Sequence, residues 1–335
     1  MSLLSFNNRG IYCAAGDFYI DPWLPVDYAV ITHGHADHAR WGSKHYLSHE
    51  YTKPILKLRL GEDVEVSTLP YGQTFFRNGV QISLHPAGHI IGSAQIRIEH
   101  KGKIAVVSGD YKTTYDGIST QFEPVKCQEF VTESTFGLPI YHWKSEVDIF
   151  EEVKNWVINN QAQNKTSVFI AYSLGKAQRV MKGLEGVAPI FVHSAVHNIN
   201  EAIKTTGVTL PDTQILTAET DRLLVANNIV IAPPALVGTN FIKKIPNASI
   251  AICSGWMQVR GRRRWEAADA GFPVSDHADW EGLLSAVKAT EAEHVYVTHG
   301  STAAFSTYLN EIGISSSEVK TEFGKEEEEL ITATE

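Results

Sequence analysis

The chain has 335 residues, which is long enough for one large core or two domains. It carries 29 Lys and Arg residues against 38 Asp and Glu residues, a net charge of -9. That balance excludes a protein that coats nucleic acid by overall charge, so any polyanion site must be a local basic patch. The excess of carboxylates suits a protein that holds divalent cations.

The cysteines and the first residues bear on the compartment. Cys13, Cys127 and Cys253 lie far apart without a CxxC pair, which predicts no disulfide framework and fits a reducing cytosol. Met1–Gly10 lacks the basic start and apolar run of a signal peptide. No stretch has the roughly 20 apolar residues that span a bilayer. We therefore expect a cytoplasmic protein with no membrane partner.

Apolar strands alternate with turns in the first third of the chain. The predicted strands cover Asp27–Thr32, Val80–Leu84 and Lys103–Val107. The first runs into the polar cluster HGHADH and the last into SGD. Active-site residues often lie at strand ends, because the sheet holds them in place while solvent reaches them.

The middle of the chain changes to helices alternating with strands. A helix is predicted to begin near Ser145, where Ser145-Glu-Val-Asp148 has the form of a capping box. Its predicted apolar face consists of Val147, Phe150, Val153, Trp156 and Val157. The alternation indicates a parallel sheet of its own. Its predicted elements are strands over Ser167–Ala171, Ile190–Val192, Ile229–Ala232 and Ser249–Ile252, and a helix over Gly175–Leu184.

The last part returns to the earlier pattern. A helix is predicted over His277–Thr290, followed by a strand over His294–Val297. The acidic tail Lys325–Glu335 is expected to be a frayed, solvated end.

The segment His33-Gly-His35-Ala-Asp37-His38 places four metal-capable side chains within six residues, directly after an apolar strand. Two imidazoles separated by one residue can converge on one ion, and the Asp and His that follow can reach a second. Neutral imidazole and carboxylate ligands favour zinc, with manganese or iron possible. The alternative is a polar surface loop, but distant partners in matching contexts argue against it.

Those distant partners are His89 in PAGHIIG, Asp110 in SGD and His299 in VTHG. Each follows an apolar strand or lies in a turn bounded by glycine. Asp110 could bridge two ions, because a carboxylate offers two oxygens. The sequence therefore predicts two metal ions held by seven ligands, namely His33, His35, Asp37, His38, His89, Asp110 and His299.

These motifs, in this order, resemble those of the metallo-β-lactamase superfamily. Asp21 in YIDP matches the first motif, a carboxylate that supports a metal-ligating histidine. Glu133 in VTEST, His277 in SDHAD, and His299 resemble motifs A, B and C of the β-CASP branch, which cleaves nucleic acids.

The resemblance covers nearly the whole chain and implies a mixed α/β fold. It implies a metallo-β-lactamase αββα sandwich formed by residues 1–141 and 267–335, with a β-CASP α/β domain inserted at 142–266. The size and the SDHADW and CSGWM segments look most like the bacterial DNA-ligase-associated exonucleases, relatives of Artemis. The resemblance thus implies a DNA exonuclease in repair or end processing, with an ATP-dependent DNA ligase and a helicase as working partners.

Phosphodiester hydrolysis needs an activated water, neutralisation of the charge that develops on phosphorus, and a proton for the leaving oxygen. Two zinc ions could supply the activated water and the charge neutralisation. Asp37 is a predicted ligand of these ions, and Asp21 is expected to support a ligating histidine. We expect His277 to act as the general acid, oriented by Glu133. The alternatives are a histidine that merely starts a helix and a structural carboxylate.

Two segments are candidates for substrate binding. Ser173, Lys176 and Gln178 lie between a strand and a helix, where backbone N–H groups and an ammonium could bind phosphate. An ordinary strand–helix turn is the alternative. The other segment is a basic run next to Trp265, which suits nucleic-acid binding but is also typical of a solvated surface. It consists of Arg260, Arg262, Arg263 and Arg264.

Other functions remain open. Motif C is histidine, as in the RNA-processing β-CASP members, whereas animal DNA-repair members carry valine there. We favour DNA over RNA and keep a ribonuclease as the alternative. A thioester or lactone hydrolase would need neither motif B nor the large insertion. A non-enzymatic binding module would be expected to have lost some of the seven ligands, and all are present.

Overall fold

A computed structural model describes residues 2–217, 219–259 and 268–322. The chain divides into two compact units. Unit 1 comprises Met1–Tyr115, Ser119–His142 and His277–Glu335, and unit 2 comprises Asp116–Ile118 and Trp143–Asp276. The sequence predicted divisions after residues 141 and 266. Among the described residues, every helix is too short or too polar to cross a membrane.

The described residues form strands β1 to β19 and helices α1 to α8. Up to residue 142 these are β1 (Ser5–Asn7), β2 (Gly10–Cys13), β3 (Phe18–Ile20), β4 (Tyr28–Val30), β5 (His45–Ser48), α1 (Lys53–Leu60), β6 (Val66–Thr68), β7 (Thr74–Arg77), β8 (Val80–Pro86), β9 (Ala94–His100), β10 (Lys103–Val107) and β11 (Glu129–Ser134).

The remaining elements belong first to unit 2 and then to unit 1. In unit 2 they are α2 (Glu146–Ala162), β12 (Thr166–Ile170), α3 (Lys176–Gly183), β13 (Ile190–His193), α4 (Ser194–Lys204), β14 (Gln214–Leu216), α5 (Arg222–Val225), β15 (Ile229–Ala232), α6 (Asn240–Lys243), β16 (Ala248–Cys253) and β17 (Ala270–Phe272). The last elements are α7 (Trp280–Thr290), β18 (His294–Gly300), α8 (Thr302–Glu311) and β19 (Ser316–Glu318).

Unit 1 contains two sheets. The first has the strand order β1-β2-β3-β4-β5-β6, and the second has the order β19-β18-β11-β10-β9-β8-β7. Successive side chains of a strand point to opposite faces of its sheet. In β10, Ala105 and Val107 therefore join the core shared by both sheets, whereas Val106 joins a core with α7 and α8. In the same way, Ala29 of the first sheet packs toward α1 while Val30 faces the shared core.

Unit 2 is built on one sheet in which every strand pair is parallel, as the alternation of strands and helices predicted. Its strand order is β14-β13-β15-β12-β16-β17. All five residues of the central strand β12 are buried, which is typical of a parallel sheet covered on both faces.

Two details of the predicted helices are wrong. Ser145 does cap α2, since its side chain accepts a hydrogen bond from Asp148 N. However, Val147 is 76% exposed, because the buried face of α2 instead includes Ile149. The helix predicted from His277 begins only at Trp280, where the Asp279 side chain accepts from Gly282 N.

Candidate metal centre

The HGHADH segment follows β4 and folds into a tight turn. The amides of His38 and Ala39 both donate to the carbonyl of His35, at 3.2 and 2.9 Å. His33 and His38, which lie before and within this turn, are both buried, although histidine is usually exposed at least in part.

Three imidazoles and one carboxylate converge on a first point. His35 Nδ1 lies 3.1 Å from His33 Nε2 and 3.1 Å from His89 Nε2. Asp110 Oδ2 lies 3.5 Å from His33 Nε2 and 3.8 Å from His89 Nε2. These four residues come from the β4 loop, the turn after β8 and the loop after β10, so the two sheets of unit 1 bring them together.

A second group shares the same carboxylate. His38 Nε2 lies 3.5 Å from Asp110 Oδ2 and 3.8 Å from Asp37 Oδ2. His299 Nε2 lies 3.3 Å from the other Asp110 oxygen, Oδ1. All seven predicted ligands thus lie in one cluster, with Asp110 between its two halves.

The spacing of these atoms fits metal coordination. Two ligand atoms that each lie about 2.1 Å from a zinc ion are roughly 3.4 Å apart in a tetrahedron. Four of the six distances among the ligand atoms of the first group are 3.1 to 3.8 Å, and all of these atoms lie within 4.8 Å of one another. The residues His33, His35, His89 and Asp110 can therefore hold one ion. Imidazole and carboxylate ligands admit zinc, manganese or iron.

Asp21 contacts His38 at the ring nitrogen that points away from the other candidate ligands. Its carboxylate accepts hydrogen bonds from Thr32 N at 2.8 Å and from Thr32 Oγ1 at 2.5 Å. The same carboxylate lies 2.8 Å from His38 Nδ1, so the opposite nitrogen of that ring, Nε2, faces Asp110. Asp21 adopts a left-handed backbone conformation with φ of 43°. A strained non-glycine residue that orients a candidate ligand is typical of functional sites.

Burial and neighbouring charges shift the pKa values of this cluster in opposite directions. Burial lowers the pKa of His33 well below its usual value. Burial also opposes a charge on His38, but Asp110 and Asp37 outweigh it and raise the pKa of His38 to about 10. Burial would raise the pKa of Asp110, yet His38 and His299 hold it well below its usual range. The protein without metal thus keeps a charged carboxylate at its centre.

Glu133 and His277 form a buried pair beside the cluster. His277 Nδ1 lies 3.0 and 2.9 Å from the two oxygens of Glu133. Glu133 Oε1 also accepts a hydrogen bond from Tyr111 N at 2.7 Å. The His277 ring lies 4.6 Å from that of His89, measured between ring centroids. The two predicted catalytic residues are therefore adjacent to each other and to the candidate ligands.

The residues at the start of α3 make internal contacts. Lys176 Nζ lies 2.7 Å from Asp276 Oδ1, and both side chains are 2% exposed or less. Gln178 Nε2 donates to Ser173 O at 2.9 Å and to Asn200 Oδ1 at 2.8 Å. Phosphate binding by Ser173, Lys176 and Gln178 stays a prediction. The arginines at 260 and 262–264 lie outside the described residues.

Sequence reasoning missed Tyr111 in unit 1 and Arg179 in unit 2, each of which holds other segments of its own unit. Arg179 donates to both carboxylate oxygens of Glu146 and to the carbonyl of Ser275. Tyr111 binds Glu133 through its backbone amide. The one available signal was position in the chain, since Tyr111 directly follows Asp110 and Arg179 follows the predicted Gln178.

Comparisons with known proteins show what the chain is similar to. No family model matches the chain. A probable DNA ligase from Opitutus terrae is 28% identical over 310 residues, which is 92% of this chain and 30% of that protein. Endoribonuclease YSH1 from Eremothecium gossypii is 24% identical over 161 residues, 48% of this chain and 20% of that protein. The chain therefore spans less than a third of the length of either relative.

A solved structure shares the fold. The crystal structure of a protein of unknown function from Enterococcus faecalis superimposes with a TM-score of 0.60 and 12% identity, covering 87% of this chain and 78% of that one. The relatives confirm the resemblance that the motifs predicted. The chain resembles the β-CASP nucleases of the metallo-β-lactamase superfamily.

Proposed function

We propose that the chain is a two-metal nuclease that hydrolyses phosphodiester bonds, with DNA ends as its substrate. The observation that carries the proposal is the position of Asp110, which lies beside members of both proposed ligand sets. Its Oδ2 atom lies 3.5 to 3.8 Å from His33, His89 and His38, and its Oδ1 atom lies 3.3 Å from His299. In this proposal His33, His35, His89 and Asp110 hold one ion. The second ion is held by Asp37, His38, His299 and the shared carboxylate.

The proposed fold is the αββα sandwich with an inserted β-CASP domain. Two observations on unit 1 support the sandwich: both sheets contribute to one core, and helices pack on their outer faces. Unit 2 supplies the α/β insertion in this proposal, since its sheet is separate and parallel.

The proposed chemistry assigns each buried side chain a task. A pair of divalent cations, when bound, favours deprotonation of water and neutralises charge on the phosphate. Glu133 accepts a hydrogen bond from Nδ1–H of His277 and thereby favours the doubly protonated ring, whose Nε2–H is the proton given to the leaving oxygen. Tyr111 N and the Glu133 carboxylate keep that ring fixed. Asp21 holds His38 in the tautomer that presents Nε2 to the cluster.

The relatives bear on substrate and partners. One relative is named a probable DNA ligase, which supports DNA as the substrate and a ligase as a working partner. A helicase partner rests on the sequence resemblance alone. Another relative is named an endoribonuclease, so a ribonuclease is the second candidate function. Zinc is the expected metal, with manganese and iron as alternatives.

The test uses end-labelled DNA and RNA strands of identical sequence, with free or phosphorylated ends, incubated with zinc or manganese. We expect the chain to shorten DNA, Asp37→Ala to abolish cleavage, and His277→Ala to slow it by roughly 10²- to 10⁴-fold. His45→Ala, which removes an exposed histidine paired with Glu65, is the matched control. Cleavage of RNA alone would establish the second candidate. A chain that hydrolyses a thioester or lactone but no nucleic acid would refute both.

A further inference from the structure

Strands β11 and β18 lose their register beside the metal centre. Thr132 pairs with Val297, but Ser134 pairs with Gly300. Glu133 therefore faces two residues of the partner strand, Thr298 and His299, where regular pairing would give it one. Such a bulge redirects side chains and leaves backbone groups outside the ladder. It lies where a candidate catalytic carboxylate and a candidate ligand leave the sheet.

The hydroxyl of Ser134 fills the gap that this bulge creates. Ser134 Oγ donates toward Thr298 O at 3.0 Å and toward His299 O at 2.5 Å. Ser134 is fully buried, so its hydroxyl depends on partners within the protein. On its other side, Ser134 O accepts from Gly137 N at 2.9 Å and from Ser301 N at 2.8 Å. One residue thus bonds to the chain on both sides of His299.

The approach of the two strands is so close that it requires a glycine. Gly300 has φ of +84°, and a Cβ atom there would lie 2.4 Å from Ser134 O. That distance is far shorter than any real contact, and the atom met is backbone. Gly300 therefore lets the segment after His299 close onto Ser134.

The clamped segment fixes the direction of the His299 ring. His299 Nε2 lies 3.3 Å from Asp110 Oδ1 and 3.1 Å from Thr135 Oγ1, next to Ser134. We propose that Ser134 is a positioning residue for the second metal site, holding His299 at its distance from Asp110 through the two carbonyls of the bulge. This inference rests on the two-ion centre of the proposed function.

The test is metal binding, measured by zinc titration against a chromophoric chelator. In Ser134→Ala we expect one of two zinc ions to bind about 10- to 100-fold more weakly, as for other residues that orient a ligand. The other ion should bind with unchanged affinity, because the Ser134 hydroxyl bonds to the segment that carries His299, a ligand of the second site only. That retained ion also reports that the variant has folded. Gly300→Ala should give the same selective loss.

The matched control is Thr290→Val. Thr290 Oγ1 is also buried and donates to a carbonyl, that of Val287 at 2.7 Å, at the end of α7. It should leave both affinities unchanged. Equal affinities in wild type and Ser134→Ala, or parallel loss of both ions, would overturn the inference. So would a wild type that binds fewer than two ions. A wild type that binds two ions but cleaves no nucleic acid would instead refute the nuclease function and leave the role of Ser134 intact.

Discussion

Both units bury charged and titratable side chains, but the groups that neighbour those side chains differ between the two units. In unit 2, Lys176 faces Asp276 and Arg179 faces Glu146, so each cation has a carboxylate of its own. Such pairs repay the cost of leaving water only when each charge is matched, as it is here. These two buried cations of unit 2 are thus compensated by carboxylates of the same unit.

In unit 1, like groups face one another. His35 Nδ1 lies 3.1 Å from two other imidazole nitrogens, those of His33 and His89. An imidazole nitrogen carries at most one proton. One proton placed between two of these three nitrogens therefore does not form a hydrogen bond to the third. A single metal cation can be coordinated by three nitrogens and a carboxylate oxygen at the same time. In unit 2 these buried charges are matched by a neighbouring opposite charge, whereas in unit 1 the clustered nitrogen and oxygen atoms are of the kind that bind a metal ion.

The substitution with the largest expected effect on this comparison is Asp110→Asn, which tests whether the cluster of unit 1 depends on the shared carboxylate. The change keeps the shape of the side chain but removes the charge that both ligand sets share. We expect nuclease activity to fall by about 10⁴-fold, equivalent to roughly 5 kcal/mol of barrier, and the bound metal to fall below two ions per chain. Metal content by elemental analysis and initial rates on labelled DNA measure both effects.

Asp27→Asn is the control for that change, since Asp27 is an exposed carboxylate paired with Lys44 at 2.6 Å. It should alter neither readout. Full metal content in Asp110→Asn would mean that the cluster of unit 1 does not depend on a bridging carboxylate.

Unit 2 should respond to loss of charge by unfolding rather than by losing metal. Lys176→Met leaves Asp276 buried without its counter-charge, and breaking such a pair costs about 3 to 5 kcal/mol. Urea denaturation should show this loss, and Asp276→Leu added to Lys176→Met should recover most of it. Lys44→Met removes an exposed pair and should cost about 1 kcal/mol at most. If Lys176→Met lowered the free energy of unfolding no more than Lys44→Met does, the contrast between the two units would be lost.

The candidate ligands could be selected from the sequence because their chemistry is local. Four of the seven lie within HGHADH, and the others follow apolar strands, so residue type and strand ends were enough to select them. Strand alternation likewise predicted the parallel sheet of unit 2. These features depend on neighbours along the chain, which a sequence displays directly.

What the sequence could not predict depends on contacts between distant segments. Val147 has helical spacing with an apolar face, yet it is exposed because α2 packs with Ile149 inward. Lys176 has the sequence setting of a phosphate ligand, but its contact with Asp276 lies a hundred residues along the chain. The Ser134 hydroxyl has two carbonyl partners that exist only once β11 and β18 pair out of register.

His49 offers a third case for the comparison, a buried histidine of unit 1 outside the metal cluster. Its ring stacks on that of Tyr71 at 3.7 Å between centroids, and Nδ1 accepts a hydrogen bond from Tyr51 N at 3.3 Å. Burial lowers the pKa of His49 from 6.5 to about 4. The folded protein therefore keeps this ring neutral without an ion or a counter-charge.

The lowered pKa of His49 predicts how stability depends on pH. Above pH 6.5 the ring is neutral in both folded and unfolded chains, so its contribution is constant. As pH falls from 6.5 toward 4 only the unfolded chain gains the proton, and the free energy of unfolding drops by up to about 3 kcal/mol.

His49→Phe keeps an aromatic ring against Tyr71 and removes the titration. Its urea denaturation curves at pH 7 and pH 4 should therefore differ by less than those of wild type. Equal differences in the two proteins would mean that the folded chain admits a proton at His49, which would place this residue with the charge-accepting histidines of the cluster.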